Sequence, residues 1–232
     1  MKKIYLIMAV ACLMIVSCKK NGGDGRIQGH EYVDLGLPSG VKWATCNVGA
    51  KSPEEFGQYF AFGETEPKDI YTEENNLTSD IIFYNLFIDD IGGNTEYDAA
   101  TSNWGDRWRI PSEDNFEELM NECNWIWTNI NGSNGYKIVG PNANYIFIPA
   151  AGYYVDKLIG GGNRGIYISG DDILEYHHAG SFLYDCHDEH CDILDHWSSL
   201  HGTSRLDFDN GYVGWNDPTA RYYGYPIRPV CY

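Results

Sequence analysis

The first eighteen residues constrain this chain more than any other segment, because they indicate what is removed and where the rest folds. Lys2 and Lys3 precede an unbroken apolar run over residues 4–16, and Ser17 follows before Cys18. A short basic region, an apolar stretch of this length and a small residue at its end are typical of a bacterial secretory signal. The folding domain therefore comes from the residues after this segment, in an oxidising compartment.

The tetrapeptide IVSC, which ends at Cys18, resembles a lipobox, where the cysteine thiol receives a diacylglyceryl group and the chain is cut before it. We therefore predict a signal peptide over residues 1–17 and a lipidated N-terminus with a flexible tether over residues 18–29. A transmembrane helix is excluded, because the apolar run spans about 20 Å and a bilayer core is about 30 Å thick. A soluble secretory signal cut elsewhere is the other alternative. The predicted partner is the lipid bilayer of the outer membrane, contacted through acylated Cys18 on either its periplasmic or its exterior face.

Acidic residues outnumber basic ones, which limits the partners of the mature chain. The sequence has 16 Lys and Arg against 33 Asp and Glu, a formal net charge of −17, and removal of Lys2 and Lys3 makes it more acidic still. Such a surface repels nucleic acids, so we expect no nucleic-acid partner. Residues 30–232 are enough for one domain with its own core.

Composition and local signals favour short strands and turns over long helices. The chain has 18 Tyr, 7 Trp and 26 Gly, which suits a β-rich domain with aromatic surfaces or an aromatic core. Hairpins are predicted around residues 38–40 and at Asn210-Gly211. Ser112 is predicted to cap the main helix and Ser52 a shorter one. Residues 63–103 are predicted to be largely irregular, as functional loops often are.

Seven stretches occur in the order found in a known family. They are Tyr32–Ala50, Gly57–Glu64, Trp104–Cys123, Asn124–Trp127, Gly135–Gly152, Trp197–Ser199 and Gly224–Val230. From about His30 to Val230 the chain thus resembles the Fibrobacter succinogenes major paralogous domain, common in lipoproteins of gut Bacteroidetes. The resemblance implies a single α+β, β-rich domain related to C-type-lectin-like and formylglycine-generating-enzyme-like folds, with adjacent termini, few short helices and long loops. It implies no single activity.

Five cysteines remain after the signal segment and the lipidated cysteine, and an odd number leaves at least one unpaired. Cys186 and Cys191 are candidates for a local disulfide. If the termini are adjacent, as the resemblance implies, Cys46 and Cys231 form a second candidate pair, which would contribute about 4–5 kcal/mol by closing a long loop. Cys123 then stays buried and reduced.

Ligand-type side chains are densest between Cys186 and Cys191. The four residues between them are His187, Asp188, Glu189 and His190. Imidazole and thiolate bind zinc or copper, and carboxylates complete such sites. The alternative is a disulfide-closed loop with exposed histidines, because the spacing is not that of a zinc finger. The spacing also matches the copper-binding cysteine pair of formylglycine-generating enzymes, although the arginine- and glycine-rich surroundings of that family are missing.

The tripeptide Trp215-Asn216-Asp217 is the one that C-type lectins use to hold calcium, where amide and carboxylate oxygens bind the ion. The upstream ligand loop of such lectins has no counterpart close by, so a buried tryptophan beside a polar turn is the alternative.

These patterns together predict a non-enzymatic domain that binds a glycan, a peptide or a surface protein. The domain is predicted to be held at the bacterial envelope as part of a lipoprotein. The alternatives are a copper- or zinc-dependent enzyme or module at the Cys186–Cys191 cluster, and a structural envelope component. No cofactor is expected under the first prediction; calcium, copper and zinc are the candidates under the others.

Overall fold

The structure, a computed structural model, describes residues 25–78, 90–176 and 199–232, without the side chains of residues 172–176, 199–202 and 216–219. The predicted signal segment with Cys18, and the whole Cys186–Cys191 cluster, lie outside the described residues. Within those residues the fold is a strand-rich α+β arrangement of several small sheets with two α-helices. The predicted β-rich class is confirmed at this level.

The described residues form fourteen strands, two α-helices and one 3₁₀ turn. In chain order the strands are β1 (Gly25–Ile27), β2 (His30–Asp34), β3 (Lys42–Ala44), β4 (Tyr59–Phe60), β5 (Asn124–Ile130), β6 (Ser133–Val139), β7 (Tyr145–Pro149), β8 (Tyr153–Tyr154), β9 (Leu158–Ile159), β10 (Gly165–Tyr176), β11 (Ser199–Asp209), β12 (Tyr212–Ala220), β13 (Tyr225–Pro226) and β14 (Val230–Cys231). The helices are α1 (Ala99–Trp104) and α2 (Glu113–Glu122), and the 3₁₀ turn is Glu73–Asn75.

Among the described residues, the hydrogen-bonded pairs of these strands are all antiparallel, and they build five small sheets. Their strand orders are β1-β2-β3-β14, β5-β6-β7, β10-β11-β12, β13-β4 and β8-β9. The first sheet holds both the first described strand and the last one, so the two ends of the described chain lie close together, as the resemblance implied. The predicted hairpins at residues 38–40 and at Asn210-Gly211 are confirmed, the latter as a two-residue turn between Asp209 and Tyr212.

Helix α2 begins where the sequence predicts. The hydroxyl of Ser112 accepts a hydrogen bond from the Asn115 amide at 3.3 Å, and the Asn115 side chain accepts one from the Ser112 amide at 3.1 Å. This reciprocal cap satisfies two amides that the first turn leaves unpaired. Phe116 and Leu119 are fully buried on one face of the helix. The helix predicted from Ser52 is wrong: a single turn forms there instead.

Two neighbouring apolar clusters make the core. The larger one contains Trp43, Phe116 and Phe208, and it joins α2 to the sheets of β5–β7 and β10–β12. The second contains Trp108 and Tyr225 and packs α1 against β4 and β13. Burial of these large aromatic side chains supplies the main stabilising term.

A fully buried arginine joins the chain before β14 to the end of β3. The guanidinium of Arg228 donates from Nε to Asn47 Oδ1 at 2.8 Å, and from Nη1 to the carbonyls of Ala44 at 3.1 Å and Thr45 at 2.7 Å. Asn47 in turn donates to the hydroxyl of Tyr167 at 3.1 Å. Burial lowers the pKa of Arg228, and none of these acceptors is a carboxylate.

The first strand of the structure begins inside the segment that was predicted to be the tether. Gly25–Ile27 were assigned to the tether, yet they pair with His30–Tyr32 as the edge strand β1. Trp108 adds a contact to this segment, because its indole nitrogen donates to the carbonyl of Ile27 at 3.0 Å. The folded domain therefore includes residue 25.

Candidate functional site

Seven tyrosines from distant parts of the chain come together around the short strand β8. We call them the tyrosine cluster: Tyr59, Tyr71, Tyr153, Tyr154, Tyr222, Tyr223 and Tyr225. Tyr71 and Tyr225 are fully buried, and the other five are partly exposed. Solvent therefore reaches the five partly exposed rings, and the two buried rings support them.

Two groups of rings lie on opposite sides of β8, because successive side chains of a strand point to opposite faces. On one side, Tyr154 contacts Tyr59 and Tyr71, with ring centroids 5.6 and 6.0 Å apart. On the other side, Tyr153 contacts Tyr223 at 5.4 Å and stacks on Tyr225 at 6.3 Å. Tyr222 lies edge-on to Tyr223 at 4.7 Å. These separations are those of favourable aromatic pairs.

Hydrogen bonds fix the less exposed members of the cluster. The hydroxyl of Tyr59 donates to the carbonyl of Ala151 at 2.7 Å, and that of Tyr71 donates to the carbonyl of Tyr59. Burial raises the pKa of both hydroxyls, so both stay protonated at neutral pH. By contrast, the hydroxyls of Tyr153 and Tyr154 make no hydrogen bond to another described residue.

Glycine at position 224 allows the backbone to lie close to the ring of Tyr71. A methyl group there would lie 2.7 Å from two ring atoms of Tyr71, which is closer than carbon atoms tolerate. Gly224 also exchanges backbone hydrogen bonds with Tyr154 at 2.8 and 2.9 Å. The segment before β13 can thus lie flat against both Tyr71 and β8.

Residues 64–75 border the cluster, and we call them the acidic loop. Within it, the ammonium of Lys68 lies 2.6 Å from one carboxylate oxygen of the buried Glu64 and 2.7 Å from the other. The same ammonium donates to the carbonyl of Asn75 at 2.6 Å. The Tyr71 hydroxyl accepts from the Lys68 amide at 2.9 Å, which ties the loop to the cluster.

The predicted calcium tripeptide lies on β12, and only its tryptophan has a described side chain. Trp215 is half-buried, and its ring meets Phe116 edge-on at 6.0 Å. The tryptophan therefore packs against the larger core cluster. The side chains of Asn216 and Asp217 are not described, so calcium binding by them stays a prediction.

The structure does not bond Cys46 to Cys231, the predicted second disulfide pair. Both thiols are free, as is that of Cys123. Cys231 pairs with Lys42 in the β3–β14 ladder, whereas Cys46 lies beyond the end of β3 at Ala44. The two ends of the described chain share one sheet, as the resemblance implied.

Metal ligands do not converge in the described part of the chain. No group of three or more His, Cys, Asp or Glu side chains there is arranged to hold an ion. The candidate ligands His187, Asp188, Glu189 and His190, and the pair Cys186 and Cys191, lie outside it. Zinc or copper binding at that cluster stays a prediction.

Sequence reasoning expected aromatic surfaces but did not single out these tyrosines. Two doublets, Tyr153-Tyr154 and Tyr222-Tyr223, each lie beside a glycine at 152 or 224. All four rings are partly exposed in the structure, so paired tyrosines beside a glycine were the available signal.

The chain was also compared with known proteins. No family model, no curated protein and no solved structure matches it. Among the described residues, no helix is both long enough and apolar enough to cross a membrane.

Proposed function

We propose that this chain is a non-enzymatic binding domain, carried by a lipoprotein of the bacterial outer membrane through acylated Cys18, and that its ligand contacts the tyrosine cluster. The ligand class is a glycan, a peptide or a surface protein. At the level of fold, we propose a C-type-lectin-like domain related to the Fibrobacter succinogenes major paralogous domain. The support for the anchor is the lipobox-like sequence that ends at Cys18.

The observation that carries the binding proposal is the set of partly exposed tyrosines around β8. A tyrosine presents a large, rigid surface with a polar tip and loses little conformational entropy on binding, which is why tyrosines dominate many recognition surfaces. Here the buried ring of Tyr225 supports Tyr153, and hydrogen bonds from the hydroxyls of Tyr59 and Tyr71 to backbone carbonyls fix two further rings. A preorganised aromatic surface of this kind lowers the entropic cost of binding.

Binding assays on tyrosine variants test this proposal. The purified full chain is applied to a glycan array and to immobilised envelope proteins, beside Tyr153→Ala and Tyr222→Ala. We expect both substitutions to reduce binding at least tenfold, as loss of an aromatic contact residue does. Tyr212→Ala is the matched control, because Tyr212 is 43% exposed at the start of β12 and its hydroxyl donates to the carbonyl of Trp215. Absence of any ligand in both assays would favour a structural envelope component instead.

Two measurements test the remaining parts of the proposal. Metabolic labelling with palmitate should mark the wild type and not Cys18→Ser; equal labelling of both would contradict the anchor. Metal analysis together with thiol titration tests the rival function. Stoichiometric copper or zinc with reduced Cys186 and Cys191 would contradict a binding domain that needs no metal.

A further inference from the structure

Exposed carboxylates dominate the border of the tyrosine cluster. The acidic loop carries four of them on the protein surface, namely Glu66, Asp69, Glu73 and Glu74. Its one cation, Lys68, is used internally by Glu64 and by the carbonyl of Asn75, and its side chain is only 19% exposed. The loop therefore presents negative charge to an approaching ligand.

The acidic loop and the tyrosine cluster are neighbours in space. Tyr71 belongs to both and packs against Gly224, which directly follows Tyr223. The hydrogen bond with Tyr223 and burial raise the pKa of the Tyr222 hydroxyl, and the nearby carboxylates of Glu73 and Glu74 add to this in smaller measure. The negative charges thus lie beside partly exposed rings.

Positive charge near the cluster is limited or already paired. On the β8–β9 turn, Lys157 is exposed next to exposed Asp156, so this turn adds no net charge. Arg164 forms an ion pair with the buried Asp207. The guanidinium of Arg221 is buried over the ring of Phe62 at 4.9 Å. Exposed carboxylates therefore outnumber exposed cations around the rings.

A cation is attracted by the face of an aromatic ring, and nearby carboxylates strengthen that attraction. The rings of Tyr222 and Tyr223 lie at an interplanar angle of 75°, so the two rings form a corner that a cationic group can enter. We propose that the tyrosine cluster binds a cationic polypeptide segment, whose lysine or arginine side chains contact Tyr222 and Tyr223 beside the acidic loop. This inference rests on the proposed binding function and names the class of its ligand.

A polypeptide fits this surface better than one small ammonium group does. The exposed carboxylates extend from Glu66 to Glu74, and the exposed rings continue from Tyr222 through Tyr223 to Tyr153. Several positive side chains along one extended segment would match this spread of charge and aromatic surface. A single ammonium would use only one corner of it.

Fluorescence anisotropy with labelled peptides tests the inference on the full chain. The probes are a short peptide rich in Lys and Arg, the same peptide with Glu and Asp at those positions, and choline as a competitor. We expect the basic peptide alone to bind, more weakly as salt rises because exposed charges are screened. Glu73→Gln with Glu74→Gln should weaken binding roughly three- to tenfold, and Tyr222→Ala roughly three- to thirtyfold.

Matched variants separate specific binding from simple charge attraction. Glu117→Gln with Glu122→Gln removes the same charge from the exposed face of α2, and Tyr222→Phe keeps the ring. Both should bind as the wild type does. Equal weakening by both double substitutions would overturn the inference, as would displacement of the peptide by choline at equal concentration. Tyrosine-dependent binding of a neutral glycan, without binding of the basic peptide, would overturn this inference and keep the proposed function. Loss of tyrosine dependence for every ligand would overturn both.

Discussion

Arg228 offers the sharpest test of how this fold is held together. Its guanidinium is fully buried and donates three hydrogen bonds, to Asn47 and to the carbonyls of Ala44 and Thr45. It thereby joins the chain before β14 to the end of β3, two segments distant in sequence. Substitution to alanine leaves three buried acceptors without these donors and opens a cavity.

The expected loss follows from opposing terms. Each abandoned buried acceptor costs about 1–3 kcal/mol, and the cavity adds to this. Relief from burying an unneutralised charge offsets part of the loss; the Nη2 atom already has no hydrogen-bond partner in the described residues. We therefore expect Arg228→Ala to lower the free energy of unfolding by about 3–5 kcal/mol. For a domain of this size each kcal/mol shifts Tm by about 2–4 °C, so Tm should fall by roughly 6–20 °C.

Thermal melts followed by circular dichroism measure this change. Arg26→Ala is the matched control, because Arg26 forms an exposed ion pair with Glu31 at 2.6 Å, with side chains 67% and 38% exposed. Such pairs contribute about 0–1 kcal/mol. A Tm decrease for Arg228→Ala no larger than that for Arg26→Ala would refute the reasoning. Arg228→Met separates the terms further, since it fills much of the cavity; a Tm above that of the wild type would mean that charge burial outweighs the three hydrogen bonds.

Four further outcomes are expected. Ser112→Ala should cost about 1 kcal/mol in urea unfolding by removing the cap of α2, whereas Ser102→Ala, on the exposed side of α1, should cost less than half of that. Burial raises the pKa of Tyr167 to about 12, against about 10 when unfolded, so its stabilising contribution is complete below pH 10 and is lost as the pH rises towards 12; the urea midpoint should fall over that range, and a flat profile would contradict this. Burial raises the pKa of Cys123 to about 11, so at pH 8 iodoacetamide should label it far more slowly in the native than in the denatured protein. Gly224→Ala should displace Tyr71 and weaken ligand binding at the tyrosine cluster, with an unchanged affinity arguing against that contact.

Local signals in the sequence predicted local structure well. The cap at Ser112 and the turn at Asn210-Gly211 involve residues within a few positions of each other, so the pattern contains the interaction. Helix α1 was missed although Asp98 caps it in the same way, by accepting from the amides of Ala100 and Thr101. The surrounding residues lack apolar periodicity, and a six-residue helix is too short to show one.

Long-range geometry could not be predicted from the same patterns. The tyrosine cluster depends on contacts such as Tyr71 with Tyr154, which no local rule links. The pairing predicted for Cys46 and Cys231 met the same limit. Adjacent chain ends can place two segments in one sheet, but the strand register decides which side chains meet, and register is set by packing over the whole sheet.

The position of β1 changes what the proposed anchor implies for ligand binding. Seven residue steps separate Cys18 from Gly25, which spans at most about 25 Å, whereas a tether reaching His30 would span up to about 43 Å. If Cys18 is acylated as proposed, the edge strand of the first sheet stays within that shorter distance of the bilayer. Anionic headgroups repel exposed carboxylates only within about one Debye length, roughly 8–10 Å. An orientation of the domain that brings the acidic loop within that distance of anionic headgroups is therefore disfavoured.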